Sequence, residues 1–446
     1  MMVIASLRPL LLTCLLGLNI VAVGHLHVSA TSSTATFVIN GRHHHSRRSQ
    51  AKHRSGRVQP NAAKAKPRKG FAQQLLDLAL ASPVWEYVLV PQAWASIVKT
   101  GEENGIPWVA AKEWLNNQKD APWSTDDDDS QHDNIQYPDY YRKSFHAYSD
   151  GKMSYDAAFE QELASRSIGA RNFPKYSSGG EDVFRGAFDQ ALSKMGTGIN
   201  CIDNGEDAVI VDFGCGTGTS TRRMAKQYPQ ATQLIGIDLS PYFIDVGQTL
   251  LKLAPSAIDV ADNDNKHGGW ITTIESDTRI QLSQGDIANT KLPSNSASVV
   301  NVGLVLHELP VYAAKQVILE AHRILQPGGQ LWISEMDFQA PAYKAQRENY
   351  LLFSLLLATE PYLDDYADGM PEVRNFIAET FEVVKITAAT GRHYALLAEK
   401  SMGKDDIANR GSKQQALIED NRFQEDRSYA IEDTQLKPWE SKEYIM

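Results

Sequence analysis

Between Asp207 and Lys400 the hydrophobic positions follow two alternating patterns. Short apolar runs without helical spacing read as buried strands. They are Ala208 to Phe213, Leu234 to Leu239, Ile280 to Ser283, Ser298 to Leu306, Gln330 to Met336, Phe381 to Ala388 and His393 to Ala398. Helical patterns lie between them. Val311 to Leu325 puts Val317, Ile318, Ala321, Ile324 and Leu325 on one face. Pro241 to Leu253 opens with Ser240 as cap and Pro241 as first residue. Alternation of this kind predicts an α/β fold, a wound parallel sheet with helices on both faces. The polar, Gly-containing stretch Ala254 to Thr278 reads as a loop insertion.

Upstream, from Phe71 to about Gly196, the pattern is helical throughout and forms an N-terminal extension. Pro83, Pro91 and Pro107 each suit the first position of a short helix. Helices are expected near Tyr155 to Ser167 and from Glu181 to Met195, with Gly196 ending the second. Trp85, Trp94, Trp108, Trp114 and Trp123 crowd this region, as core or as a lid over an apolar substrate. Asp126 to Asp129 reads as a solvated linker, because the spaced ligands and central Gly of a calcium loop are absent. After Ser401 the charges show no periodicity, and residues 401–446 are expected to be a flexible tail.

Charge changes the picture at the N-terminus. The chain has 446 residues and a formal charge of -10. No acid precedes Asp77, while 11 Lys and Arg do, leaving 33 basic against 54 acidic residues beyond. So acidic a body argues against a nucleic-acid partner, since phosphate binding relies on Lys and Arg. The apolar run Leu10 to Val23 falls short of the ~20 residues a bilayer span needs but suits a signal-peptide core. Val28-Ser29-Ala30 resembles its cleavage site. Residues 31–70, basic and Ser/Ala-rich, have transit-peptide composition, and His43-His44-His45 belong to it rather than to a metal site. Residues 1–70 are therefore expected to be a bipartite plastid leader, with secretion or the endomembrane lumen as the alternative. No transmembrane segment is expected in the mature chain. Three cysteines, Cys14, Cys201 and Cys215, make no disulfide framework.

The chemistry-bearing residues follow the strands. The first strand ends Asp212-Phe213-Gly214-Cys215-Gly216-Thr217-Gly218. Glycines there permit a tight turn and bring backbone N–H groups toward a ligand. The spacing is GxGxG, whereas the dinucleotide fingerprint is GxGxxG. Asp212 stands where a cationic amine meets it and a pyrophosphate would not. Asp238, with Leu239 after it, ends the second strand 20 residues beyond Gly218, where a carboxylate accepts from ribose hydroxyls. Asp286 and Ile287 follow the third, where the acid accepts from an adenine amino group and Ile packs on the ring.

These elements, with Leu292-Pro293, Leu306-His307-Glu308-Leu309 and the run His322 to Gly329, resemble class I S-adenosylmethionine-dependent methyltransferases. The similar group is type 11, which includes the quinone-biosynthesis methylases. The resemblance covers Asp207 to Lys400, so 197–400 is expected to be the methyltransferase domain and 71–196 its helical extension. It implies a Rossmann-like seven-stranded sheet in the order 3-2-1-4-5-7-6, strand 7 antiparallel. It also implies that Asp212, Gly214, Cys215, Gly216 and Gly218 hold the methionine part, Asp238 and Leu239 the ribose, and Asp286 with Ile287 the adenine. Ser294 and Ser298 depart from the usual aromatic and Asp. The flanking strings Val84 to Pro91, Phe145 to Tyr148, Ala157 to Glu160 and Thr359 to Tyr366 are similar to those of methyltransferases from photosynthetic lineages.

The implied reaction moves a methyl group from S-adenosylmethionine to a small, apolar or aromatic acceptor. Such a donor needs mainly alignment and exclusion of water, with a base only where the acceptor carries a proton. His307, after strand 4, is the candidate base, with Glu308 to orient it. Tyr362, Asp364 and Asp365 are candidates to line the acceptor pocket. No metal-ligand spacing appears. A non-catalytic module that keeps the cofactor pocket and a nicotinamide-dependent oxidoreductase are the alternatives.

Overall fold

The structure is a computed structural model that describes residues 90–124, 135–143, 148, 151–196, 207–261, 277–348, 353, 357, 359–402 and 423–426. The expected leader, Pro83, Trp85, residues 84–89 and 145–147 of the flanking strings, the Asp126 to Asp129 linker and Cys201 lie outside them. Residues 76–446 cluster as one compact unit.

Four helices precede the sheet among the described residues: α1 (Val90–Glu103), α2 (Trp108–Asn116), α3 (Tyr155–Asn172) and α4 (Gly180–Lys194). Pro91 lies in the first turn of α1, and Pro107 caps α2 rather than starting it. Ser154 caps α3 by accepting from the Ala157 N–H. Then come β1 (Val209–Phe213), α5 (Thr219–Gln227), β2 (Gln233–Asp238), α6 (Pro241–Ala261), β3 (Ile280–Gln284) and β4 (Ala297–Gly303). The second half is α7 (Val311–Ile324), β5 (Leu325–Met336), α8 (Pro341–Glu348), α9 (Leu363–Thr380), β6 (Val383–Ala388), β7 (His393–Glu399) and β8 (Phe423–Asp426).

The strands order as β3-β2-β1-β4-β5-β7-β6-β8. β7 runs antiparallel between β5 and β6, and the other pairs are parallel. The order of the first seven strands is the expected one. The eighth is an addition: Phe423–Asp426, from the segment expected to be a flexible tail, pairs with β6. A four-residue strand is too short to show a period, and it is held by main-chain bonds, which sequence pattern does not report. Two other expectations shift. α6 continues to Ala261, into the stretch read as a loop insertion. β4 stops at Gly303, because Leu304 takes a positive φ of 58° and Leu306–Glu308 form a 3-10 turn.

Successive strand residues face opposite sides, and each side has its own core. Val211, Phe213, Val300, Val302, Leu331 and Ile333 pack with α7 and α9. Ile210, Leu234, Val299, Trp332 and Leu397 pack on the other side with Phe184, Phe188 and Leu192 of α4. α4 is thus a covering layer of the sheet. A third cluster joins Trp108, Leu115, Phe159 and Leu163 to Phe243, Val246 and Leu250 of α6, with Trp94, Trp114 and Trp123 packed against it, so these four tryptophans serve as core. Among the described residues no helix is long and apolar enough to cross a membrane.

Candidate active site

Parallel strands bring their carboxyl ends to one edge, and every motif residue after a strand arrives there. The glycine turn leaves β1 with φ of 68° at Gly214, 55° at Gly216 and 85° at Gly218, values that L side chains rarely adopt. A Cβ on Gly214 would lie 2.6 Å from Val305, and one on Gly216 would lie 2.4 Å from the side-chain amide of Gln161.

The turn's own N–H groups are used within the protein. Gly214 and Cys215 donate to the Ile237 carbonyl at 2.8 and 3.2 Å, and Gly218 donates to the Cys215 carbonyl at 2.9 Å. Gly216 N donates to Asp238 Oδ2 at 3.0 Å, and Thr217 N donates to Gln161 Oε1 at 3.0 Å. The direct N–H contacts to a ligand that the glycines suggested are therefore internal bonds.

Asp212 is buried, and its carboxylate accepts from Ser220 and Thr221 hydroxyls, both at 2.6 Å, and from Asn301 Nδ2 at 2.8 Å. Burial pushes its carboxyl up, against the three bonds that favour the ionised form. Its main task is to pin β1 to β4 and to the start of α5. Cys215 likewise turns inward, into the core shared with Ile210 and Leu234, where burial pushes its thiol up and keeps it protonated.

Asp238 accepts at Oδ2 from Gly216 and at Oδ1 from Ser240 N at 2.9 Å. Burial raises its carboxyl, while the ammonium of Lys152 opposes the rise. The Tyr141 hydroxyl stands 3.5 Å from Oδ1, and Leu239 beside it is half-buried. Asp286 accepts from Ala288 N at 2.8 Å and shapes the turn after β3, with Ile287 packed partly against the core.

Past β4, His307 is buried and its Nδ1 lies 2.8 Å from Glu335 Oε1. Burial lowers the affinity of the ring for a proton, but the Glu335 carboxylate outweighs it and the pKa rises to about 9. The Nε2 edge has no hydrogen-bond partner among the described residues. Glu308 does not orient His307. It follows one residue later in the 3-10 turn and points away, to an ion pair with Lys152. Lys152 is drawn upward in pKa by Glu308 and Asp238 against its own burial, and it stays a cation.

The segment 135–143 carries Tyr137, Tyr140 and Tyr141 to this edge. Tyr137 stacks on Tyr141 at 5.6 Å, and Tyr140 meets Tyr312 and Tyr362 edge-on at 6.2 and 6.5 Å. Lys143 Nζ lies 4.6 Å from the Tyr362 ring centre. Tyr362 is thus buried in an aromatic group. The two acids after it are not drawn in: Asp364 pairs with Arg347 Nη2 at 3.0 Å, and Asp365 is exposed. Both lie in the first turn of α9, where acids complement the helix dipole.

Gln161, Tyr141, Lys152 and Glu335 were not anticipated. Only Glu335 left a signal, an acid in the apolar run of β5, since a fully buried carboxylate demands a partner.

A doubly wound sheet whose β1 turn, β2 acid and β3 acid converge on one edge defines a nucleoside-cofactor domain. Comparison specifies it further. The family model described as "Methyltransferase domain" matches residues 211–333, and the chain carries such a domain there. The demethylmenaquinone methyltransferase of Lactobacillus johnsonii is 31% identical over 175 residues, which is 38% of this chain and 62% of that protein. An uncharacterized methyltransferase of Emericella nidulans is 26% identical over 138 residues, 30% of this chain and 43% of that one. The chain thus spans less than two thirds of these relatives. A solved magnesium protoporphyrin IX methyltransferase from Synechocystis aligns with a TM-score of 0.33 and 17% identity, covering 50% of this chain and 87% of that one.

The cofactor of such a domain is S-adenosylmethionine, and the residues fit it. Asp238 and Asp286 present acceptor oxygens at the ends of β2 and β3, and the Thr219 hydroxyl at the start of α5 is buried without a partner among the described residues. Those described residues contain no group of His, Cys, Asp or Glu arranged to hold a metal ion.

Proposed function

We propose that the chain transfers a methyl group from S-adenosylmethionine to a small, neutral aromatic acceptor with an ionisable hydroxyl or acidic carbon, such as a reduced quinone or phenol. The observation that carries this reading is the buried His307–Glu335 pair beside the cofactor edge, with Nε2 open. The sulfonium of the cofactor supplies an already activated methyl group. The remaining work belongs to the chain: Asp238 and the glycine turn set the cofactor's position, and the tyrosines of segment 135–143 with Tyr362 make an aromatic cluster beside it. His307 takes the acceptor's proton at Nε2 while Glu335 holds Nδ1–H and steadies the imidazolium.

The aromatic cluster supports an apolar ring as acceptor. The names of the bacterial relatives, demethylmenaquinone methyltransferases, point the same way. Lys152 is neutralised by Glu308 rather than left to pair with an anionic acceptor.

Because His307 titrates at about 9, the proton-accepting form is the minor one at neutral pH, and turnover should rise with pH toward that value. The test is release of S-adenosylhomocysteine with a panel of hydroquinones, naphthoquinols and phenols. Turnover on carboxylate or amine acceptors alone would refute the reading. So would tight cofactor binding with no turnover on any acceptor, which would favour a non-catalytic module.

A further inference from the structure

The segment 135–143 reaches the cofactor edge through a hydroxyl. The Tyr141 N–H donates to the Pro138 carbonyl at 2.9 Å, and this turn folds the segment back on itself. Tyr137 then lies nearly parallel to Tyr141, with 5.6 Å between ring centres and 6° between planes. The Tyr141 hydroxyl stands 3.5 Å from Asp238 Oδ1. Burial, with the Asp238 and Glu308 carboxylates after it, holds this phenol well above its ordinary pKa, so it keeps its proton and is the donor. The Ser240 hydroxyl is also close to it, but gives its own proton to the Lys152 carbonyl at 2.6 Å. The stack carries a cost. The Tyr137 hydroxyl is buried without a partner among the described residues, and an unmade bond on a buried polar group is unfavourable.

Asp238 has limited room for donors. A carboxylate offers about four lone-pair positions, two on each oxygen. Oδ1 receives the Ser240 N–H at 2.9 Å and the Tyr141 hydroxyl, and Oδ2 receives the Gly216 N–H at 3.0 Å. Among the described residues that leaves one position, on Oδ2. The two hydroxyls of a ribose need two. The main-chain donors are fixed by the glycine turn and by the start of α6. The Tyr141 contact is the longest of the three, and it is the one that can yield.

We propose that Tyr141 competes with the cofactor's ribose for Asp238, so that the stacked tyrosines form a latch that a nucleoside with both ribose hydroxyls must displace. This rests on the S-adenosylmethionine reading above. A ligand with one ribose hydroxyl takes the position left on Oδ2 and leaves the latch closed. Opening the stack gives the Tyr137 hydroxyl access to water, which offsets part of the displaced bond. Tyr141 therefore lowers affinity for the intact nucleoside, the reverse of a residue that helps to hold it.

The discriminating variant is Tyr141→Phe. It removes one oxygen and keeps the ring that stacks on Tyr137. Calorimetric affinities for S-adenosylhomocysteine and for its 2′-deoxyribose analogue separate competition from support. Tyr141→Phe should bind S-adenosylhomocysteine roughly threefold to tenfold more tightly, while the affinity for the deoxy analogue should change by less than about twofold. Weaker binding of S-adenosylhomocysteine would make Tyr141 part of the nucleoside's own site and overturns the proposal. So does an unchanged affinity, or an equal gain for both ligands, which would report a general loosening of the segment. If the unaltered protein binds neither ligand, the cofactor reading itself fails and takes this proposal with it.

Discussion

The two halves of the sheet edge are built differently. On the β1–β2 side the key carboxylate, Asp238, accepts from backbone N–H groups of Gly216 and Ser240. On the β4–β5 side His307 is oriented by a side chain 28 residues on, Glu335, and Glu308 by Lys152, 156 residues back. The first half is main-chain geometry repeated at fixed spacing. The second depends on side chains that meet only after folding. The first half therefore rests chiefly on backbone geometry, with the bonds of Asp212 and Gln161 as its side-chain ties, and the second on side-chain pairs.

The sharpest break of this comparison is a pair of substitutions. Asp238→Ala removes the carboxylate that joins the glycine turn to α6 and should cost about 3 kcal/mol of cofactor binding, a hundredfold or more, by calorimetry. His307→Ala should leave that affinity within about threefold and reduce turnover by roughly a hundredfold. If His307→Ala loses binding as Asp238→Ala does, the two halves are not separable. Next in size is Gly216→Ala. The positive φ alone should cost about 1–2 kcal/mol in denaturant unfolding, and the new Cβ displaces the Gln161 amide.

Glu335→Gln tests the acceptor half by pH. The His307 pKa is raised to about 9 from an ordinary 6.5, so its contribution to stability is complete below about pH 6.5 and is lost as pH rises through 9. In Glu335→Gln the ring loses the carboxylate that offsets its burial, so it should titrate well below 9. The melting temperature should then lose its decline between pH 6.5 and 9, and the acid limb of turnover should move to lower pH. An unmoved limb would remove His307 from the proton transfer. The smallest effect belongs to Asp364→Asn, where a part-exposed pair with Arg347 is worth at most about 1 kcal/mol. Cofactor affinity and KM for the acceptor should not change, and a large rise in KM would restore Asp364 to the acceptor site.

What could be read in advance follows the same division. The seven strands and the residues after β1, β2 and β3 were legible because each rests on local period and spacing. Asp212 was legible as a position, but the side chains that bond it were not. Its donors are Ser220 and Thr221 from the next helix and Asn301 from another strand, and Asn301 appeared only as one polar residue in an apolar run. Glu308 beside His307 looked like its partner because adjacency was the available guide, and a 3-10 turn sends neighbouring side chains to different faces. β8 and the extension of α6 were missed because main-chain pairing and packing override weak local patterns.

The amino-acid sequence by itself determined the alternation of strand and helix, the sheet edge at which ligands gather, and the glycine turn that suits S-adenosylmethionine. These depend on backbone conformation, which local residue types control. Only the tertiary structure decided that the N-terminal helices are part of that site. Gln161 lies 55 residues before Gly216 in the chain, and no spacing rule connects them. Burial of Phe159 and Leu163 against Phe243 and Leu250 brings α3 onto the turn, and that apolar contact sets the Gln161 amide over Gly216 and against Thr217.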